Sequence, residues 1–409
     1  MFSRPDKKFS SPPGIYKKVE EKKEYGASNL QFISNSKPLD ISLLKKEVLE
    51  LLNKSKEDNN LSFEDKKLLP DLTENLSEKF YLNFIDLDYK SFSITPHEYD
   101  WLHSNSKEKW VDYLLYRYKF KLFPTKKIIS KFPVHLCIEP TSLCNLRCIM
   151  CFQLDKSFSS NKDFMGFMEW DLFTKVVDQA AENKCHAITL ASRGEPTLHK
   201  DFGKMLIYIH NKGIMDVKIN TNATRLTEKL CHQILQSNIA TVTLSVDACN
   251  PETYESIRVG GKFNQVLKNI KMFHKIRNQE YKGCQTKTRI AGVAVKDTQS
   301  PDEMLKFWSQ HVDQVTIRKE IPRWDTYNNK THDHLGICNL LFERIYVWFD
   351  GVCSPCDFDY KAELRFGNAN SQTISDIWLG EEYKKIRKFH TDGKRNCLRP
   401  CDRCNFGVT

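Results

Sequence analysis

Residues 134–151 read Val134-His135-Leu136-Cys137-Ile138-Glu139-Pro140-Thr141-Ser142-Leu143-Cys144-Asn145-Leu146-Arg147-Cys148-Ile149-Met150-Cys151. The first five residues are mostly apolar and predict a strand. The strand feeds a loop whose cysteines follow the spacing Cys-x3-Cys-x2-Cys. Iron–sulfur cubanes usually take four thiolates. Three thiolates leave one iron without a protein ligand, much as a catalytic metal keeps a free position. Zinc would need a fourth ligand nearby, and no histidine lies between 136 and 185. Cys144, Cys148 and Cys151 are therefore expected to hold a [4Fe–4S] cluster with one open iron.

Downstream of this loop, strand and helix patterns alternate. Strands are predicted at 187–190, 217–220, 240–246, 288–295 and 315–317. Helices are predicted at 173–181, 202–210, 228–235, 263–273 and 302–311. Such alternation implies parallel strands with covering helices. In these sheets and barrels, functional groups sit where strands end and loops begin.

Upstream the character differs. Residues 1 to about 25 are rich in Lys, Glu, Pro and Ser and are expected to be disordered. Helical spacing of apolar residues appears at 43–52 and again at 110–118, whereas 53–75 is polar with Pro70 as a breaker. The segment before the main domain is thus expected to be mainly helical. No winged-helix peptide-recognition pattern stands out in it.

The chain of 409 residues carries 14 cysteines and a net charge of +10. No stretch approaches the ~20 apolar residues that span a bilayer. The start, Met1-Phe2-Ser3-Arg4-Pro5-Asp6-Lys7-Lys8, leads into charge rather than an apolar run, so a cytoplasmic, reduced setting is expected. There disulfides are a poor explanation for thiols, and clustered cysteines point to metal. Cys137, Cys185, Cys231, Cys249 and Cys284 are scattered and read as small core or surface residues. The positive charge suits an acidic substrate or a Lys-rich solvated surface. The second reading is preferred, because no dense basic block or aromatic-basic motif marks a nucleic-acid interface.

The cysteine loop resembles the signature of the radical S-adenosylmethionine (SAM) superfamily. Further segments fit. Ser192-Arg193-Gly194-Glu195-Pro196 resembles the Gly-Gly-Glu-Pro motif that contacts the methionyl amino group, with Arg193 in place of the first glycine. Asn220-Thr221-Asn222-Ala223 and Ser245-Val246-Asp247-Ala248 end the third and fourth strands. The resemblance implies that Met150, Gly194, Glu195, Pro196, Asn222, Ser245, Asp247 and Arg258 surround the cofactor, Arg258 as partner of its carboxylate. Asn222 and Ser245 also suit plain turn capping.

A second cysteine group follows. Cys338, Cys353, Cys356, Cys397, Cys401 and Cys404, with Gly351, Gly367-Asn368 and Trp378 between them, resemble the SPASM or twitch extension of many such enzymes. Two full cubanes would need eight thiolates, so one auxiliary [4Fe–4S] cluster is expected. Its ligands are expected to be Cys338, Cys356, Cys401 and Cys404, with Cys353 and Cys397 in reserve. Asp357, next to Cys356, is a candidate general base. Its plain alternatives are a surface acid or one that orients a ligand.

The expected fold is α/β. A partial (β/α)6 TIM-like barrel spans 131–325, between an N-terminal extension over 1–130 and a small iron–sulfur domain over 326–409. The resemblance implies reductive cleavage of SAM to a 5′-deoxyadenosyl radical, with electrons from a flavodoxin or ferredoxin. An oxidoreductase acting on a sugar-like or other small molecule is the leading reading, and modification of a peptide is the runner-up. A non-enzymatic zinc or nucleic-acid-binding protein is the alternative of another class.

Overall fold

The computed structural model describes residues 15–17, 31–34, 41–58, 61–78, 92–321, 323–334 and 336–406. Strands His135–Ile138, Ala187–Leu190, Asp216–Thr221, Thr241–Ser245, Lys287–Ala294 and Gln314–Lys319 lie side by side in chain order. Every neighbouring pair among these six is parallel. Helices Trp170–Glu182, Phe202–Asn211, Glu228–Gln236, Phe263–Glu280 and Pro301–Trp308 make the crossovers. The sequence placed these elements to within three residues, except that the helix predicted over 263–273 runs on to Glu280, because period-2 and period-3.6 patterns are strong in this part of the chain.

The third strand shows how the sheet is built. Val217, Ile219 and Thr221 are buried, while Asp216, Lys218 and Asn220 alternate with them on the other face. The apolar set joins Ile188, Leu190, Val242 and Leu244 under the helix residues Val176, Leu206, Ile234 and Ile270. Burying each such side chain is worth ~1.5–3 kcal/mol. The inner face is left polar and forms a lumen.

Both flanking segments extend this sheet, which sequence reasoning did not foresee. Gln31–Ser34 pairs antiparallel with the sixth barrel strand, and Ile15–Lys17 pairs with Gln31–Ser34. The strand Ile15–Lys17 falls within the stretch 1–25 expected to be disordered, and the rest of that stretch lies outside the described residues. On the other side Arg344–Val347, from the C-terminal segment, pairs parallel with His135–Ile138. It continues as an antiparallel run through Val352–Ser354 and Gly367–Asn368.

The reading of Pro70 as a breaker is corrected. It sits inside the helix Phe63–Glu78. An internal proline costs ~3 kcal/mol or more. Leu69, Leu72 and Leu76 are buried on one face of that helix, and their packing outweighs the cost.

The helical N-terminal segment closes the lower end of the barrel. Its core includes Trp101, Tyr113 and Leu122 and takes in Val134, Ala187, Met215 and Ala240, at or just before the starts of the first four barrel strands. Tyr116 Oη donates to Asp216 at 3.0 Å, and Gln314 Nε2 donates to Asp100. Inside this cap Glu98 is fully buried between Arg117 (2.7 Å) and Lys121 (3.1 Å). Burial alone would raise its pKa, but Lys121 and then Arg117 override it and hold the carboxyl well below its usual range. Among the described residues no helix is long and apolar enough to cross a membrane.

Candidate active site

The cysteine loop leaves the upper end of the first barrel strand and is fastened to its neighbours by backbone. Glu195 N–H donates to Leu143 O at 2.8 Å. A Cβ at Gly194 would collide with the carbonyl oxygens of Thr141 and Leu143, so only glycine allows this approach. Cys148 lies in a two-residue bridge, Arg147–Cys148, that pairs antiparallel with Arg258–Val259. Cys144 and Cys151 are close enough to Cys148 to perturb each other electrostatically. Burial, helped by neighbouring negative groups and opposed by backbone N–H donors, pushes Cys144 up to about 12 and Cys151 up to about 11.

The other motif residues brace this loop. Glu195 is buried, and its carboxylate accepts from Thr221 Oγ1 at 2.7 Å, Asn222 N at 2.6 Å and Thr197 Oγ1 at 2.5 Å. It therefore ties the second strand end to the third. Asn222 Nδ2 donates to Asn145 Oδ1 in the cysteine loop at 3.0 Å. Arg258 Nε donates to Asp247 Oδ2 at 2.6 Å, and its Nη1 reaches Cys148 Sγ at 3.8 Å. Asp247 also accepts from Val293 N at 2.8 Å. Arg193, where the motif usually has glycine, is buried and pairs with Glu139 at 2.6 Å. It donates to Tyr360 O at 3.0 Å and lies over Trp348. The substitution thus clamps the C-terminal segment to the first strand.

A cavity of about 570 Å³ opens beneath the loop. Cys144, Cys148, Met150, Cys151, Gly194, Glu195, Asn222, Ser245 and Arg258 face it, while Pro196 and Asp247 stand behind it. The opposite wall comes from the C-terminal segment. Asn339 and Leu340 follow Cys338, Asp357 and Phe358 follow Cys356, and Phe406 lies two residues past Cys404. Asp357 accepts from Arg323 Nη1 at 2.7 Å.

Behind that wall Cys338, Cys356, Cys401 and Cys404 come together, each perturbing others of the set. Burial, then mutual crowding, pushes Cys356 and Cys401 well above the usual thiol range. Cys353 is buried in the main core, and Cys397 is exposed. Arg395, 2% exposed, donates to the carbonyls of Gly336, Cys404 and Phe406. Among the described residues it pairs with no carboxylate. Four thiolates on a cluster would supply its counter-charge, which fits the group to the site. No three His, Cys, Asp or Glu side chains among the described residues converge as one metal ion requires. A cubane puts each thiolate on a different iron, so its ligands stand farther apart.

Residues 138–307 match the Radical SAM superfamily, and residues 338–405 match the iron–sulfur cluster-binding domain called SPASM. The chain belongs to the radical SAM superfamily and carries a C-terminal SPASM-type domain. Its cofactors are accordingly SAM, a [4Fe–4S] cluster and auxiliary iron–sulfur. The tungsten-containing aldehyde ferredoxin oxidoreductase cofactor-modifying protein of Pyrococcus furiosus is 26% identical over 66% of this chain and 87% of its own. A probable GTP 3′,8-cyclase of Methanococcus maripaludis is 31% identical over 32% of this chain, which spans only 42% of the cyclase. The structure of Streptococcus suis SuiB bound to S-adenosylmethionine has a TM-score of 0.52 at 17% identity, covering 80% of this chain and 91% of that one. This last likeness shows the fold.

Sequence reasoning missed several residues of the site. Arg323 and Arg395 carry no motif. Lys218 and Thr243 were read only as strand positions, although inward alternation could have marked them as lumen residues.

Proposed function

We propose that this protein reductively cleaves SAM and directs the resulting radical onto a small molecule held in the barrel lumen. The observation that carries the reading is one cavity that Cys144, Cys148 and Cys151 face, with an opposite wall built from residues that follow Cys338, Cys356 and Cys404. Cys144, Cys148 and Cys151 are the ligands proposed for the first cluster. Cys338, Cys356, Cys401 and Cys404 are those for the auxiliary one. When bound, the first cluster and SAM supply a carbon radical that abstracts hydrogen.

The chain's own residues hold, orient and enclose. The backbone around Gly194, packed on the cysteine loop, offers carbonyl acceptors to an ammonium group. Burial pushes the Cys148 thiol up, and the Arg258 guanidinium beside its Sγ works against that rise. The N-terminal cap shuts the lower end of the lumen against water. Arg323 positions Asp357 at the wall, where its carboxylate can accept a proton from an oxidised substrate. Cys356, directly before Asp357, would hold an auxiliary cluster, which would supply an electron acceptor beside the wall.

A net two-electron oxidation is the reaction this arrangement supports best. All fourteen cysteines are free, in keeping with a reducing, cytoplasmic setting and a flavodoxin or ferredoxin as donor. The Pyrococcus relative is named for modifying the cofactor of another enzyme, which agrees with a small-molecule substrate. The test is to reduce the reconstituted protein with SAM under anaerobic conditions and assay 5′-deoxyadenosine. Formation by the wild type and none by Cys148→Ala is the expected result. Equal formation by both overturns the proposal.

A further inference from the structure

The lower half of the lumen holds a cation without a partner. Lys218 lies mid-way along the third barrel strand and points into the cavity. No hydrogen bond or ion pair reaches its ammonium group among the described residues. Asp216 accepts from Tyr116, and Glu343, which also faces the cavity, is paired with Arg344, whose guanidinium fork has further N–H groups to offer. Glu320, which also faces the cavity, lies past the far end of the sixth strand. Burial, then Arg344 and Arg289, pull the Lys218 ammonium down to about 8, as a cation short of counter-charge must be.

A second observation points the same way. Thr243, on the adjacent strand, is 7% exposed, faces the cavity and has no partner for Oγ1. A buried hydroxyl without a bond costs ~1–3 kcal/mol unless something else fills the role. Arg344, reaching in from the C-terminal strand, adds a guanidinium. An ammonium, a hydroxyl and a guanidinium together present donors to a group that has only acceptors.

We propose that Lys218, Thr243 and Arg344 form a site for the anionic end of the substrate, a carboxylate or a phosphate, with its other end toward Cys144, Cys148 and Cys151. This rests on the proposed function and adds a substrate class to it. The overall charge of +10 then has a local use that composition alone could not reveal.

The test is calorimetric titration of the reconstituted, SAM-loaded protein with inorganic phosphate and, separately, with succinate. One of the two is expected to bind at one site per chain, and which one binds distinguishes phosphate from carboxylate. Lys218→Met is expected to weaken it at least about tenfold (about 1.4 kcal/mol), and Thr243→Val about threefold. Lys218→Arg, which restores the charge, is expected to recover most of the affinity. Iron content and visible absorption of each variant report whether it folds and loads. No binding of either anion to the wild type at about 10 mM, or equal binding by Lys218→Met, overturns the site. 5′-Deoxyadenosine formation by the same wild-type preparation separates the two ideas. If it forms without anion binding, only the lumen site fails; if anions bind and it does not form, only the radical reading fails.

Discussion

The thiols of Cys144, Cys148 and Cys151 hang from one loop, whereas Cys338, Cys356 and the Cys401/Cys404 pair are gathered from three places between 338 and 404. The first three face a cavity directly. The other four stand behind a wall made of the residues that follow them. Three thiols on an open face leave room for a cofactor on the fourth iron. Four thiols behind a wall suit a cluster that exchanges only electrons. The two groups also obtain their charge balance differently. Arg258 beside Cys148 is already paired with Asp247, while Arg395 beside the second group donates to carbonyls and, among the described residues, meets no carboxylate.

That contrast can be broken at either end. The largest effect is expected from Cys148→Ala, which should reduce 5′-deoxyadenosine to background and lower iron from about eight to about four per chain. Cys356→Ala should cause the same iron loss, read by colorimetric assay, yet leave 5′-deoxyadenosine measurable. Cys353→Ala and Cys397→Ala should change neither, and an iron loss in either one would redraw the ligand set.

Smaller effects sharpen how the C-terminal segment is joined to the barrel. Arg193→Gly installs the residue usual for the motif but strands Glu139 in a buried position. Thermal or denaturant unfolding should show a loss of about 3–5 kcal/mol, with iron loading reduced as the clamp opens. The smallest expected change concerns the cap. Glu98 is held well below its unfolded pKa, so its contribution is present above about pH 4 and fades as pH falls below that. Glu98→Gln, which keeps an acceptor oxygen, should destabilise the protein at pH 7 by about 1–3 kcal/mol, and the difference should shrink in acid. A difference constant with pH would show that Glu98 does not act through its charge.

Much of the barrel was legible because each element there has a clean period. The helix Phe63–Glu78 was not, because Pro70 and a polar surface mask a stripe of three leucines that only packing reveals. The seventh parallel strand, Arg344–Val347, was hidden for another reason. Its partner His135–Ile138 is some two hundred residues earlier, and pairing at that range leaves no local mark. In the site, spacing alone exposed the cysteine loop and the Gly194–Pro196 turn. The roles of Arg193 and Lys218 were not visible, since a charged residue in a strand pattern reads equally well as a solvated one.

The amino-acid sequence by itself determined the chemistry class. Cys-x3-Cys-x2-Cys after a strand is a local constraint, set by how far neighbouring backbone can carry three thiols. Tertiary structure decided what surrounds that chemistry. It chose four of six distant cysteines, replaced a motif glycine with a clamp, closed the lower end of the barrel with helices and left Lys218 unpaired inside. Those outcomes depend on which distant groups share a small volume out of water, and burial, not spacing, sets the energy of a charge there.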